Sequence, residues 1–204
     1  YDVDGDLVHL EANYDEVYDA GLASSQDSTL DANLRYEESV DLVYSMNLWE
    51  DSFDVTNYSN ASVIRGLEDA AAIADILDQN VCPGGPGTCG YHADRALFEG
   101  RASDIRGGLD ARLAWNGENT DISQLGITYP FEIYPAGSAR PQLILDRING
   151  FASDTFGNFQ PLVRDGSIPE WQGLVDRYWG DGYWNGGPWF LTTLWFGAYH
   201  AIRQ

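Results

Sequence analysis

Two short stretches of this sequence place carboxyl, aromatic and arginine side chains close together. The first is Asn47–Asp51, in which Glu50 and Asp51 follow Trp49. Cleavage of an acetal needs a proton donor for the leaving oxygen and a second group on the opposite face, and two carboxyls usually fill these roles. Apolar surface or a neighbouring acid keeps such a donor protonated by raising its pKa. Glu50 lies between an indole and another acid, so it is the candidate proton donor. The alternative is a solvated acid at the end of a helix.

The second stretch is the glycine-rich segment 177–191. Arginine, aspartate and aromatic side chains crowd its first 13 residues: Arg177, Tyr178, Asp181, Tyr183, Trp184 and Trp189. Flat aromatic faces pack against the C–H surface of sugar rings, and charged groups hydrogen-bond to sugar hydroxyls. Four of the interspersed residues are glycines, which allow the tight backbone turns that such a loop needs. The segment is therefore a candidate carbohydrate site, and the alternative is a packed aromatic cap on a helix.

Helical patterns dominate the rest of the chain. Apolar residues keep helical spacing from Ser59/Asn60 to Leu77, and Ser138 is placed to cap a helix that Gly150 ends. Gly187-Pro188 opens the last helix. Weaker helical patterns cover 8–20, 34–46, 92–106 and 107–115, and only 127–134 has an extended pattern. The predicted class is all-α with six or seven helices in a single domain over 1–204, and Glu50 directly follows one of the helices.

The charge balance restricts the partners. There are 32 acids and 11 bases, for a net charge of −21, and every base is arginine. A charge of this size repels itself in dilute buffer, whereas at about 1 M salt the Debye length is roughly 3 Å. The composition indicates a protein from a high-salt environment, or alternatively an acidic secreted enzyme. Both interpretations argue against nucleic acid and anionic membranes as partners. The most apolar segment, 188–199, is too short to span a bilayer.

The cysteine pair and two sequons suggest export to the cell surface or beyond. Cys82 and Cys89 flank a loop of glycine and proline, which predicts a disulfide that contributes roughly 2.5 kcal/mol. Their spacing does not suit zinc, and the three histidines show no ligand spacing. Asn57 and Asn60 are candidate glycosylation sites. We therefore expect neither a metal nor a cofactor.

In their order along the chain, the two stretches resemble motifs of the glucoamylase family, glycoside hydrolase family 15. That family carries an Asp-Leu-Trp-Glu-Glu motif with the catalytic acid as its first Glu, which corresponds here to Asn47–Asp51, with Asn47 in place of Asp. Its later motif, Arg-Tyr-x-x-Asp-x-Tyr followed by Pro-Trp-(Phe/Leu)-Leu-x-Thr, is similar to Arg177–Thr193, with Gly187 where Asn often precedes the proline. The resemblance covers about residues 34–204.

The resemblance implies an (α/α)6 barrel that hydrolyses α-linked glucans from their ends with inversion. Glu50 would be the general acid and Asp51 the second carboxylate, while Trp49, Arg177, Tyr178, Asp181 and Trp189 would bind the sugar. The family's catalytic base lies beyond the second motif and has no counterpart here. We therefore expect this chain to cover about half of a barrel, completed by more of the same polypeptide or by another chain. The alternative is a non-catalytic carbohydrate-binding or structural extracellular protein derived from this fold.

Overall fold

The computed structural model describes residues 3–25, 34–37, 39–115, 119–154, 157–183 and 186–204. In these residues the chain is mostly helical and carries one small antiparallel sheet, which the all-α prediction did not include. Two compact units form, Tyr1–Val55 with Ser59–Leu109 and Thr56–Tyr58 with Asp110–Gln204. Trp184 lies outside the described residues.

The α-helices of the described residues are α1 (Val3–Ala12), α2 (Tyr14–Ser25), α3 (Asn57–Asn80), α4 (Tyr91–Trp115), α5 (Ala139–Ile148) and α6 (Phe190–Ile202). The strands are β1 (Leu34–Glu37), β2 (Leu42–Met46) and β3 (Phe53–Asp54), and short 3₁₀ helices cover Ile122–Ile127 and Pro169–Trp171. The sheet has the order β1-β2-β3 with antiparallel neighbours.

The prediction of a helix over 34–46 is wrong, because this segment forms the β1–β2 hairpin. Tyr36 and Val43 face each other across the two strands and are both fully buried. Aromatic and β-branched residues of this kind fit a half-buried pleated surface. Asp41 adopts a left-handed φ of 52°, which no helix accommodates, and its carboxylate accepts a hydrogen bond of 2.6 Å from the Tyr36 hydroxyl. The turn chemistry therefore overrides the helical spacing.

Helix α3 is confirmed and begins at Asn57. The side chains that it buries recur at helical spacing and comprise Ala61, Ile64, Leu67, Ala70, Ala71, Ala74 and Leu77. Near its start, the Asn60 amide lies against the edge of β2. It accepts from the Val43 N–H at 2.8 Å and donates to the Val43 carbonyl at 3.1 Å. This side chain continues the ladder at a point where β3, which pairs only with Ser45 and Met46, has ended.

The buried position of Asn60 argues against the predicted glycosylation. Asn60 has no exposed surface, and Asn57 is 4% exposed. A glycan needs an asparagine amide that stands out from the surface. Both sequon asparagines are therefore buried in the folded chain, which disfavours the predicted glycosylation.

Helix α4 is one continuous helix where the sequence suggested two. It buries Phe98, Ala102, Ile105 and Leu109 at alternating spacings of four and three residues. Ion pairs of Arg95 with Asp75 and of Arg106 with Glu68 connect it to α3. Such half-exposed pairs contribute little energy individually, so the buried apolar face accounts for most of the stability of this helix.

The predicted disulfide between Cys82 and Cys89 is confirmed in the connection between α3 and α4, with 5.7 Å between the two Cα atoms. The buried carboxylate of Asp78 accepts from the Gly87 N–H, at 2.9 and 3.0 Å to its two oxygens. Gly87 has a φ of 81°, which favours glycine. The hydrogen bonds to Asp78 and the Cys82–Cys89 disulfide therefore both hold the short loop between α3 and α4 in place.

The second unit contains both a correction and a confirmation. The prediction of an extended segment over 127–134 is wrong, because its N–H groups donate to nearby carbonyls within the segment or in the 3₁₀ helix just before it. Those of Glu132 and Tyr134 bond to the carbonyls of Thr128 and Ile127. Helix α5 is confirmed, with Ser138 at its N-cap position and Gly150 in the left-handed region just beyond its end.

Among the described residues, no helix is both long and apolar enough to cross a membrane.

Candidate functional site

The segment 177–181 is held in place by its backbone. The N–H of Ile122 donates to the Arg177 carbonyl at 2.8 Å, and the Trp179 N–H donates to the Thr120 carbonyl at 3.0 Å. These bonds make a short antiparallel bridge between Asp121 and Tyr178. The Asp121 carboxylate then caps the 3₁₀ helix that follows by accepting from the Ser123 N–H at 2.7 Å. These backbone hydrogen bonds therefore fix the segment 177–181 against residues 120–122.

Arg177 and Asp181 form a buried ion pair at the centre of this segment. The Nε and Nη2 atoms of Arg177 donate to the two carboxylate oxygens of Asp181, each at 2.7 Å. The side chains are only 8% and 2% exposed. Asp181 also accepts from the Tyr183 N–H at 2.9 Å. Such two-pronged pairing fixes geometry as well as charge.

Three aromatic rings surround the guanidinium of Arg177, and we call this group the arginine cage. The guanidinium carbon lies 4.5 Å from the ring centre of Trp189, 5.0 Å from Tyr183 and 5.1 Å from Tyr178. The rings of Tyr183 and Trp189 lie 5.7 Å apart and are tilted by 30°. Cation–π attraction at these distances holds the rings to the buried cation. Tyr183 is 53% exposed, and so is nearly half of Trp179.

The pKa values of two carboxyls at this site shift in opposite directions. The hydrogen bonds from Arg177 lower the pKa of Asp181, and burial opposes them only in part. Burial raises the pKa of Asp176, and the guanidinium of Arg164 opposes that rise. Asp181 is therefore firmly ionised beneath the rings. Both it and Arg177 are engaged with each other and buried, so they position the aromatic rings.

Arg164 ties the glycine-rich loop to the rest of the unit. Its guanidinium pairs with Asp176 at 2.8 and 3.0 Å and donates to the Gly186 carbonyl. A Cβ atom at Gly186 would lie 2.6 Å from the Asp181 carbonyl oxygen, and its φ of 72° also favours glycine. The loop therefore needs glycine here to turn back toward the ion pair.

The start of α6 places Trp189 in the cage. The Trp189 N–H donates to the Val175 carbonyl at 3.1 Å, and the Val175 N–H donates to the Thr193 hydroxyl at 3.0 Å. The hydroxyl of Thr192, which is fully buried, also bonds to the Val175 carbonyl. Trp189 itself stands at the N-cap position with extended backbone. The helix begins at Phe190, later than the predicted opening at Gly187-Pro188.

The other candidate residues lie in a turn between β2 and β3, where the sequence predicted a helix end. The side-chain oxygen of Asn47 accepts from the N–H groups of Trp49 and Asp51, each at 3.1 Å. Its amide nitrogen donates to the Asp51 carboxylate and, at 3.1 Å, to the Ser52 hydroxyl. Asn47, which differs from the Asp of the family motif, thus organises the whole turn.

Glu50 is exposed at this turn and has a left-handed φ of 58°. Trp49 is half-buried, and Asp51 is exposed. The turn therefore presents the Glu50 carboxylate to solvent and provides little of the enclosure expected for a proton donor. Non-glycine residues in the left-handed region are uncommon and are enriched at functional sites.

The structure thus brings together two groups, one in each unit. Trp49, Glu50 and Asp51 share the β2–β3 turn in the first unit. In the second unit the arginine cage and its ion pair bring together five residues of the candidate carbohydrate segment, which are Arg177, Tyr178, Asp181, Tyr183 and Trp189. The supporting residues Asp121 and Arg164 were not among those predicted from the sequence. The Asp-x-Ser spacing of a capping turn was a local signal for Asp121, whereas nothing local marked Arg164.

Within the described residues, no cluster of three or more histidine, cysteine, aspartate or glutamate side chains is arranged to hold a metal ion. Comparison of the chain with models of protein families, with curated proteins and with solved structures finds no match.

Proposed function

We propose that this chain binds an α-linked glucose oligosaccharide or polysaccharide on the exposed aromatic surface of the arginine cage. The observation that carries the proposal is the arrangement of three rings around one buried ion pair, with half of the Tyr183 ring open to solvent. A ring held in place loses little freedom when a sugar stacks on it. Because Asp181 neutralises Arg177, the surface suits a neutral sugar better than an anionic one.

A more specific proposal is that this binding surface belongs to an inverting, exo-acting α-glucosidase of glucoamylase type. The order and residue types of the two motifs support it. In this proposal Glu50 protonates the leaving oxygen, Asp51 and Trp49 flank it, and the base comes from outside the chain. The barrel is then an (α/α)6 barrel completed by further polypeptide, from the same or another chain, in an extracellular, high-salt setting.

The second candidate function is a non-catalytic carbohydrate-binding or structural extracellular protein. The position of Glu50 favours it, because the β2–β3 turn leaves this carboxylate exposed. A general acid needs surroundings that keep it protonated until the sugar arrives. Both candidates use the cage, and they differ in whether Glu50 takes part in a reaction.

Binding is tested by titrating maltooligosaccharides into the protein in a calorimeter. Replacing Tyr183→Ala should weaken affinity about fivefold or more, because one stacked ring is worth roughly 1 kcal/mol or more. Phe159→Ala is the matched control, since Phe159 is a 60% exposed aromatic residue outside the cage. It should leave affinity unchanged. Absence of binding to the unaltered protein at millimolar sugar, or equal losses in both variants, would refute the proposal.

Hydrolysis is tested by glucose release from the same sugars, with the complete protein that includes the polypeptide supplying the base. Glu50→Gln should lower turnover by a factor of about 10²–10⁴ or more. Glu132→Gln is the matched control, because Glu132 is also an exposed glutamate with a left-handed φ, of 57°. A near-normal rate in Glu50→Gln would remove the catalytic assignment. Sugar binding without any glucose release would favour the second candidate.

A further inference from the structure

Helix α6 is anchored in the second unit along one side. Thr192 and Tyr199 are fully buried on this inner side, and the Tyr199 hydroxyl donates to the Ala136 carbonyl at 2.8 Å. The Trp195 indole N–H donates to the Tyr129 carbonyl at 3.0 Å, and its ring meets Tyr58 edge to face. The helix is therefore firmly seated through polar and aromatic contacts.

The opposite side of α6 is apolar and faces outward. We call it the outer face, and it consists of Phe190, Leu191, Leu194, Gly197, Ala198, Ala201 and Ile202. These positions share one side of a helix because they recur every three or four residues. Phe190 is 80% exposed, Leu191 59%, Leu194 54% and Ile202 51%. A surface helix normally shows charged or polar side chains on this side.

The outer face also has no charge. Acidic and basic residues make up 21% of the chain, yet α6 contains none and carries only His200, which is not on the outer face. The chain as a whole has a net charge of −21. Two copies that met through any acidic surface would bring like charges together, and that is unfavourable at short range. The outer face is a surface where copies can meet without this repulsion.

We propose that the outer face binds the outer face of a second copy of this chain, with the two α6 helices antiparallel about a two-fold axis near Phe196. A two-fold contact uses the same patch on both copies, so it requires a patch that complements itself. About this axis Phe190 and Ile202 of the second copy lie at the same level, at the two edges of the contact. In the same register Leu191 meets Ala201 and Leu194 meets Ala198, so that large side chains lie opposite small ones.

Two further features of α6 suit this contact. A Cβ atom at Gly197 would meet nothing within 4 Å, so open space lies beside the crossing point. Helices pack at interaxial distances of roughly 8–10 Å, and a glycine at the crossing favours the lower end of this range. The antiparallel direction also places each helix dipole opposite to the other, which is favourable.

The proposal predicts that association depends on salt. Charges of −21 on each copy repel over long distances in dilute buffer, where the Debye length is about 10 Å at 0.1 M salt. At about 1 M the length falls to roughly 3 Å, and the apolar contact then outweighs the remaining repulsion. The chain should therefore be a dimer in high salt and dissociate as the salt is lowered.

Sedimentation equilibrium in about 2 M sodium chloride tests the contact. The unaltered chain should be dimeric, and Leu194→Asp should raise the dissociation constant by about 100-fold, since each copy loses one leucine contact worth about tenfold. Leu97→Asp on α4 is the matched control, because Leu97 is a 40% exposed leucine of the other unit. It should dimerise normally. Equal helix content by circular dichroism shows that all three proteins are folded.

A mixing experiment tests the register. Leu194→Asp and Ala198→Arg should each be monomeric, but an equimolar mixture should form a heterodimer in which aspartate meets arginine across the axis. A folded chain that is monomeric at every salt and protein concentration would overturn the proposal, with other polypeptide as the occupant. Normal dimerisation of Leu194→Asp, or failure of the mixture to associate, would overturn it as well. These measurements of mass do not depend on sugar binding.

Discussion

Gly107 and Gly108 are neighbours in α4, and the structure predicts opposite effects when each is replaced by alanine. A Cβ atom at Gly107 meets nothing within 4 Å, so Gly107→Ala only removes the poor helix propensity of glycine. This should raise the free energy of unfolding by about 0.8–1 kcal/mol. The effect acts largely through the unfolded chain, which has fewer conformations to lose when alanine replaces glycine.

Gly108→Ala gains the same propensity but meets the β1–β2 turn. Its Cβ atom would lie 2.6 Å from the Val40 carbonyl oxygen and closer still to that of Asp41. Backbone atoms in a turn cannot swing aside as a side chain does, and overpacking of this kind costs about 1–3 kcal/mol or more. The propensity gain offsets only part of that cost. We therefore expect Gly108→Ala to be about 2 kcal/mol or more less stable than Gly107→Ala.

The assay is urea unfolding at about 1 M salt, followed by far-UV circular dichroism. The two variants differ from the natural chain by the same atoms, at adjacent positions of one helix. Equal slopes of the unfolding curves would show that midpoints report stability. Equal stability of the two variants would refute the close approach of α4 to the β1–β2 turn.

Three further predictions concern stability. Asn60→Ala should lower the free energy of unfolding by about 2–4 kcal/mol, because both backbone groups of Val43 lose their buried partner. Asn80→Ala, at the exposed end of α3, should change it by less than about 0.5 kcal/mol. Equal losses of stability in the two variants would contradict this prediction. Because the pKa of Asp181 is lowered in the folded state, the ionised carboxylate stabilises the fold fully above its unfolded pKa of about 3.9, and this stabilisation is lost as pH falls through the lower folded value. The free energy of unfolding of Asp181→Asn should therefore depend less on pH below about 4 than that of the unaltered chain. Parallel pH profiles of the two proteins would exclude a stabilising role for the Asp181 carboxylate. Dialysis below about 0.1 M salt should reduce the helical signal in circular dichroism, and full retention of helix would refute adaptation to high salt.

Local residue patterns were sufficient for α3, for α5 and for the disulfide. In α3 the apolar spacing predicts the helix, and in α5 the apolar spacing, Ser138 at the N-cap position and Gly150 beyond the end all favour the same structure. Such agreement makes a prediction reliable. The Cys82–Cys89 loop is equally local, because glycine and proline bring its ends together within eight residues.

The tertiary structure decided the segments in which local signals disagreed. The spacing over 34–46 suits a helix, but its residues pair across a hairpin because Tyr36 and Val43 bury each other there. The N–H groups of 127–134 find partners within the segment or in the 3₁₀ helix just before it, so its apolar pattern does not produce a strand.

In the candidate site, too, local residue patterns predicted some features and the tertiary structure decided others. Residue types alone pointed to Arg177, Tyr178, Asp181 and Trp189, and these do assemble around one ion pair. Their depth could not be read from the sequence, because burial depends on distant residues such as Thr120 and on the loop contact made by Arg164. The exposure of Glu50 is likewise a property of the turn that Asn47 closes. The sequence by itself determined which groups are present, and tertiary contacts decided which of them reach solvent, because exposure depends on what the rest of the chain leaves uncovered.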